Sequence, residues 1–209
     1  MSNTIVVLDT CAVIDLRKSY PREFLDSSLY EFAKLRKKQG IGNRLSNWLS
    51  KANKNGWKIC IPKAVIKESD NEMKKTLAFV ASKVPGNRNI VKYQLHDQDY
   101  LNKLYSLSDN CVRVSPSKFH DLLERIQKAY KSWRNLQTLD CIKKHGLRQK
   151  AYFPEQNDIS LLGQAIVNKD SNDNGEKRVL LLTNDAHFLC HSSTIKNTFG
   201  VEILDYHKL

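Results

Sequence analysis

Long hydrophobic runs are missing from this 209-residue sequence. No stretch approaches the ~20 apolar residues of a membrane-spanning helix. A basic segment ahead of the first apolar run is also lacking, and Asp9 interrupts that run, which argues against a classical secretory signal. A soluble, cytoplasmic protein without a membrane partner is therefore expected. Cysteine is sparse: Cys11, Cys60, Cys111, Cys141 and Cys190 form no CxxC pair, and their number is odd. A chain of this length can bury a core without cross-links, so reduced and mostly buried thiols are expected. His187, Cys190 and His191 have spacing that suits chelation, but no second ligand cluster stands nearby, and a zinc site is not expected. Internal repeats and low-complexity linkers are absent, so residues 1–209 read as one domain. Acidic residues are in deficit: 22 Asp and Glu stand against 34 Lys and Arg, a formal charge of +12. The resulting pI of about 9.5 favours a polyanionic partner, because each neutralised phosphate releases counterions.

What is present is an alternation of short apolar runs and amphipathic stretches. TIVVL (residues 4–8), WKICI (57–61), CVRV (111–114), VLLLT (179–183) and VEIL (201–204) read as five strands, with a further short strand conceivable at 90–93. Continuous apolar runs suit a parallel sheet covered on both faces. Between them lie helical patterns, and the GIG at residues 40–42 breaks one pattern into an inserted helical hairpin over about 27–56. Gly56 stands where a C-cap belongs. The strongest amphipathic pattern begins at Ser115-Pro116 and carries Phe119, Leu122, Leu123, Ile126, Tyr130, Trp133 and Leu136 on one stripe. Strands separated by helices predict an α/β fold with a parallel sheet flanked by helices.

Carboxylates then recur where such a sheet binds ligands, beyond the carboxyl ends of its strands. Asp9 follows the first strand, and Asp185 follows VLLLT. Glu68 lies about two turns into the helix after WKICI, where Asp70 and Glu72 compete with it. Asp158 opens the helix leading towards VLLLT. Singly, each could be a helix cap, a turn residue or a solvated side chain. Gathered at one rim, they would repel: two unit charges ~4 Å apart cost about 4 kcal/mol at an effective dielectric of ~20. A hard divalent cation, Mg²⁺ or Mn²⁺, suits an all-oxygen donor set.

In VVLDTCAVIDL, IPKAVIKES, NDISLLGQAI and LLTNDAHF, taken in this order, the chain resembles the PIN-domain family of metal-dependent nucleases. The resemblance covers both ends of the chain and not its middle. It implies a PIN-like fold with a five-stranded parallel sheet, and an acidic quartet of Asp9, Glu68, Asp158 and Asp185 holding Mg²⁺ or Mn²⁺. Thr10 and Thr183 match positions where the family often has a small hydroxyl residue behind the metal ligands, and Asn184 is expected beside Asp185. The implied activity is endoribonuclease cleavage to 5′-phosphate and 3′-hydroxyl ends. The chain departs from the compact toxins of the family in its extra helical material, which bears on whether an inhibitory protein partner exists. It also has His187 where another acidic residue is expected.

Substrate grip is expected from Lys128, Lys131 and Arg134 on the amphipathic helix, and from Arg36, Lys37, Lys38 and Arg44, through sequence-independent contacts with an RNA backbone. Trp48, Trp57 and Trp133 fit core packing better than base stacking. Two alternatives remain. A DNase or structure-specific nuclease shares the pocket chemistry, and a catalytically silent RNA-binding module shares the fold. A phosphatase of the haloacid-dehalogenase kind is disfavoured, since DTCAVID lacks the DxD it requires.

Overall fold

A computed structural model of the chain describes residues 3–17, 30–83, 89–133, 154–171 and 177–209. Its centre is built from the two most apolar runs. Thr4–Leu8 forms β1 and Arg178–Thr183 forms β3, and they pair in parallel with Val6 opposite Leu180 and Leu8 opposite Leu182. Every residue of β1 and the last five of β3 are buried. Successive strand side chains point to opposite faces, so both faces of this pair are covered. Lys58–Cys60 (β2) adds in parallel to the outer side of β1, and Val201–Asp205 (β4) adds in parallel to β3.

Among the described residues the sheet has four strands in the order β2-β1-β3-β4, not five. The expected strand at CVRV is irregular chain. Its backbone groups are taken by side chains instead of a ladder: Val112 N–H donates to Asn168 Oδ1 at 2.9 Å, and Val112 C=O accepts from Gln164 Nε2 at 2.7 Å. The region around residues 90–93 is helical, inside Asn89–Ser108.

Helices flank the sheet. Thr10–Arg17 is α1 and Tyr30–Lys54 is α2. The expected hairpin over 27–56 is a correction: α2 runs unbroken through Gly40-Ile41-Gly42, and residues 27–29 lie outside the described residues. Each interior glycine costs about 1 kcal/mol of helix propensity, offset here by Leu45, Leu49 and Ala52, which repeat along one face and are buried in the core. Gly56, at φ +74°, ends the helical segment as its position suggests. Lys63–Lys83 is α3, Asn89–Ser108 is α4, Pro116–Trp133 is α5 and Gln156–Asp170 is α6. Ala186–Leu189 (α7) and Ser192–Phe199 (α8) connect β3 to β4, and a 3₁₀ turn, Tyr206–Lys208, follows. Helix α6 packs on β1, β3 and β4, while α1 packs on α2, α3 and β3.

Reduced thiols throughout were expected, and the structure corrects this. Cys60 at the end of β2 is joined to Cys111, and Cys190 is disulfide-bonded too. Among the described residues, no helix is long and apolar enough to cross a membrane.

Candidate functional site

The strand order fixes where a ligand can sit. From β1 the chain moves outward to β2, and from β3 it moves outward to β4 on the other side. The crevice at the carboxyl ends of β1 and β3 is therefore a topological switch point. Asp9 follows β1 there, and its N–H extends the pairing by donating to Leu182 C=O at 3.1 Å. Asp185 lies two residues past β3.

Asp9 is only 7% exposed, and three donors surround its carboxylate. Thr183 Oγ1 donates to Oδ2 at 2.6 Å, Cys11 Sγ donates to Oδ2 at 3.1 Å, and the Thr10 N–H donates to Oδ1 at 2.6 Å. Burial still pushes the Asp9 carboxyl up, against the pull of these donors, and the charge of Asp185 adds to the rise. Burial and the adjacent Asp9 also raise the Cys11 thiol, which stays protonated as a donor.

Two threonines link the acids. Thr10 Oγ1 donates to Glu68 Oε2 at 2.8 Å, tying α1 to α3. Thr183 Oγ1, while donating to Asp9, accepts the Asp185 N–H at 2.8 Å. Of the three α3 carboxylates, Glu68 lines the cavity, while Asp70 and Glu72 pair with Lys74 and Lys75.

Asp158 sits in the first turn of α6, where its Oδ2 accepts the Glu155 N–H at 2.9 Å. Burial pushes its carboxyl up to about 7, and the neighbouring charges of Asp185 and Asp9 contribute. Asp185 behaves differently. Burial works to raise it, but the His187 ring at 2.8 Å and the His187 N–H at 2.7 Å hold it below its ordinary value. His187 Nδ1 also lies 4.0 Å from Asp158 Oδ2. Ligand atoms of Asp158, Asp185 and His187 fall within 4.8 Å of one another.

Asp9, Glu68, Asp158 and Asp185 are thus brought together, with Asp9, Thr10, Glu68 and Asp158 lining one cavity. Asn184 is placed elsewhere: its amide contacts the His207 ring at 3.1 Å. Lys128 and Lys131 are exposed on α5, with Lys128 3.9 Å from Glu124, and Arg134 lies outside the described residues, as do the side chains of Arg36, Lys37 and Lys38. Arg44 is occupied at the C-terminus, donating to Leu209 C=O. Trp133 is buried against Tyr130 and His191, and Trp48 packs edge-on to Trp57. Of the residues with zinc-like spacing, His191 is buried among these rings and Cys190 is cross-linked.

Sequence reasoning missed Asp15, buried and bonded by the Tyr206 hydroxyl at 2.9 Å. It also missed the Arg17–Asp97 ion pair that braces α1 against α4. Neither has a local pattern, since both partnerships span 80 residues or more. The donor set fits a divalent cation chemically: carboxylate oxygens with one adjacent imidazole, two of the acids raised by burial first and by the neighbouring Asp185 charge second. Compared with protein-family models, curated proteins and solved structures, the chain matches none.

Proposed function

We propose that this protein is a metal-dependent nuclease of PIN type that hydrolyses phosphodiester bonds, with RNA the foremost substrate. The observation carrying this reading is the convergence of Asp9, Glu68, Asp158 and Asp185 at the switch point of a parallel sheet: Thr10 holds Glu68, Thr183 bridges Asp9 and the Asp185 N–H, and Asp158 lies against Asp185 and His187. Asp9, Asp158 and Asp185 would hold Mg²⁺ or Mn²⁺, with His187 beside them. A cation bound there supplies water activation and charge stabilisation on the phosphoryl oxygens. Thr183 and Cys11 orient Asp9 by donating to Oδ2. Glu68, anchored through Oε2, keeps Oε1 for aligning the attacking water. The water oxygen bonds to phosphorus as the bond to the 3′ oxygen breaks, leaving a 5′-phosphate and a 3′-hydroxyl. The carboxylates themselves form no covalent intermediate.

The test is incubation of purified protein with labelled single-stranded RNA, single-stranded DNA and duplexes, with Mn²⁺, Mg²⁺ or EDTA. We expect RNA cleavage that EDTA abolishes and that Asp9→Asn lowers by at least 10²-fold with the fold retained. DNA-only cleavage moves the assignment to a DNase. Tight RNA binding without turnover assigns a silent binding module.

A further inference from the structure

Beside the acids lies a cavity of about 590 Å³, inside the ~300–1,000 Å³ range of small-ligand pockets. Asp9, Glu68 and Asp158 border it, yet most of its wall is apolar: Pro62, Val65, Val112, Val114, Phe119 and Leu161. Chemistry at a phosphate needs none of these side chains. Val114 is 41% exposed, one of two large hydrophobics open to solvent among the described residues.

The wall is built to hold its shape. Cys111 is cross-linked to Cys60, and Val112 is held at both backbone groups by Asn168 and Gln164. On the far side, a Cβ at Gly163 would come within 2.9 Å of Leu123 and 3.2 Å of Phe119. Glycine there lets α5 press against α6 and sets the Phe119 ring at the cavity. Lys63 and Arg113 add positive charge to the lining, and Gln164, whose Nε2 is engaged by Val112, retains Oε1 as an acceptor.

With a cation at the acids, as the nuclease reading requires, an occupant that matches both walls offers an apolar body with polar edges joined to an anion. A nucleotide unit does so, with its phosphate towards the acids and its base in the cavity. A wholly apolar ligand would leave Asp9 and Asp158 facing hydrocarbon. We infer that this cavity is the subsite for one nucleobase adjoining the scissile phosphate. The inference rests on the nuclease reading and adds a consequence to it: that base must leave its stack to be cleaved beside.

The test uses Asp9→Asn protein, with Mn²⁺, and single-stranded oligoribonucleotides carrying 2-aminopurine. Anisotropy reports binding, and 2-aminopurine emission reports unstacking. We expect emission to rise severalfold on binding, and Asp9→Asn/Val114→Asp protein to lose the rise and bind about tenfold more weakly. Anisotropic binding with unchanged emission overturns the subsite while cleavage by the unmodified protein keeps the nuclease reading. An anilinonaphthalene dye that occupies the cavity and is not displaced by oligonucleotide also overturns it, in favour of an apolar occupant. Neither binding nor cleavage by the unmodified protein overturns both. Because the emission change is read in Asp9→Asn alone, the result does not depend on the second substitution folding.

Discussion

At the scale of single residues, the site is held by hydroxyls as much as by charge. Thr183 is fully buried, donates to Asp9 and accepts from the Asp185 N–H. Thr183→Val keeps the shape and leaves both partners short of a bond. Urea unfolding should then show a loss of about 2 kcal/mol, and a loss below about 0.5 kcal/mol would mean the hydroxyl does not bridge the two strands. Asp158 gives a pH signature. Its carboxyl ordinarily titrates at 3.8 and is raised to about 7 in the fold. The folded state then holds an extra proton between those values, so stability is lost as pH rises from about 4 through 7. Asp158→Asn removes this loss. In metal-free protein the variant should gain melting temperature over the parent from pH 5 to pH 8, and Mn²⁺ should stabilise the parent more at pH 8 than at pH 5. Parallel melting curves for the two proteins across that range would contradict the assignment. The sequence made Asp9 and Asp185 legible because a carboxylate ending an apolar strand is unusual. It could not show that Asn184, their neighbour in sequence, turns to His207 instead.

At the scale of elements, what was readable was what local pattern decides. TIVVL and VLLLT are long enough, and apolar enough, that only buried parallel strands suit them. The misreadings have tertiary causes. Gly40 and Gly42 do break helices in isolation, but Leu45, Leu49 and Ala52 bury a face that keeps α2 intact. CVRV has a strand's composition, and only Gln164 and Asn168, more than 50 residues away, take the bonds a neighbouring strand would have made. The Cys60–Cys111 bridge was hidden by an odd cysteine count and by a chain length that needs no staples. It closes a separation of 51 residues, worth about 4 kcal/mol in the chain-entropy account. Replacing both cysteines by serine should lower stability by about 2–4 kcal/mol and speed amide exchange at residues 111–114, the wall of the cavity. Unchanged exchange there would show that Asn168 and Gln164 hold the segment unaided.

At the scale of the whole molecule, the charge balance and the acidic centre pull in opposite directions. A net charge of +12 coexists with Asp9, Glu68 and Asp158 lining one cavity and Asp185 close to Asp158, so the positive excess must lie mostly on the remaining surface. Lys63 and Arg113 stand at the cavity, while Lys128 and Lys131 are exposed on α5. If these four side chains each neutralise one phosphate, single-stranded binding falls with salt at a slope near −0.7 per contact, or about −3 in all. A rise from about 50 to about 200 mM salt should then weaken RNA binding by Asp9→Asn protein about 50-fold, whatever the base sequence. Lys63→Gln, Arg113→Gln, Lys128→Gln and Lys131→Gln should each reduce the slope by somewhat less than one. The apolar contribution of the cavity, by contrast, carries no counterions and should persist at high salt. A slope near zero would detach the basic surface from nucleic acid altogether, and an unchanged slope in all four variants would place the phosphate contacts on other lysines and arginines of the chain.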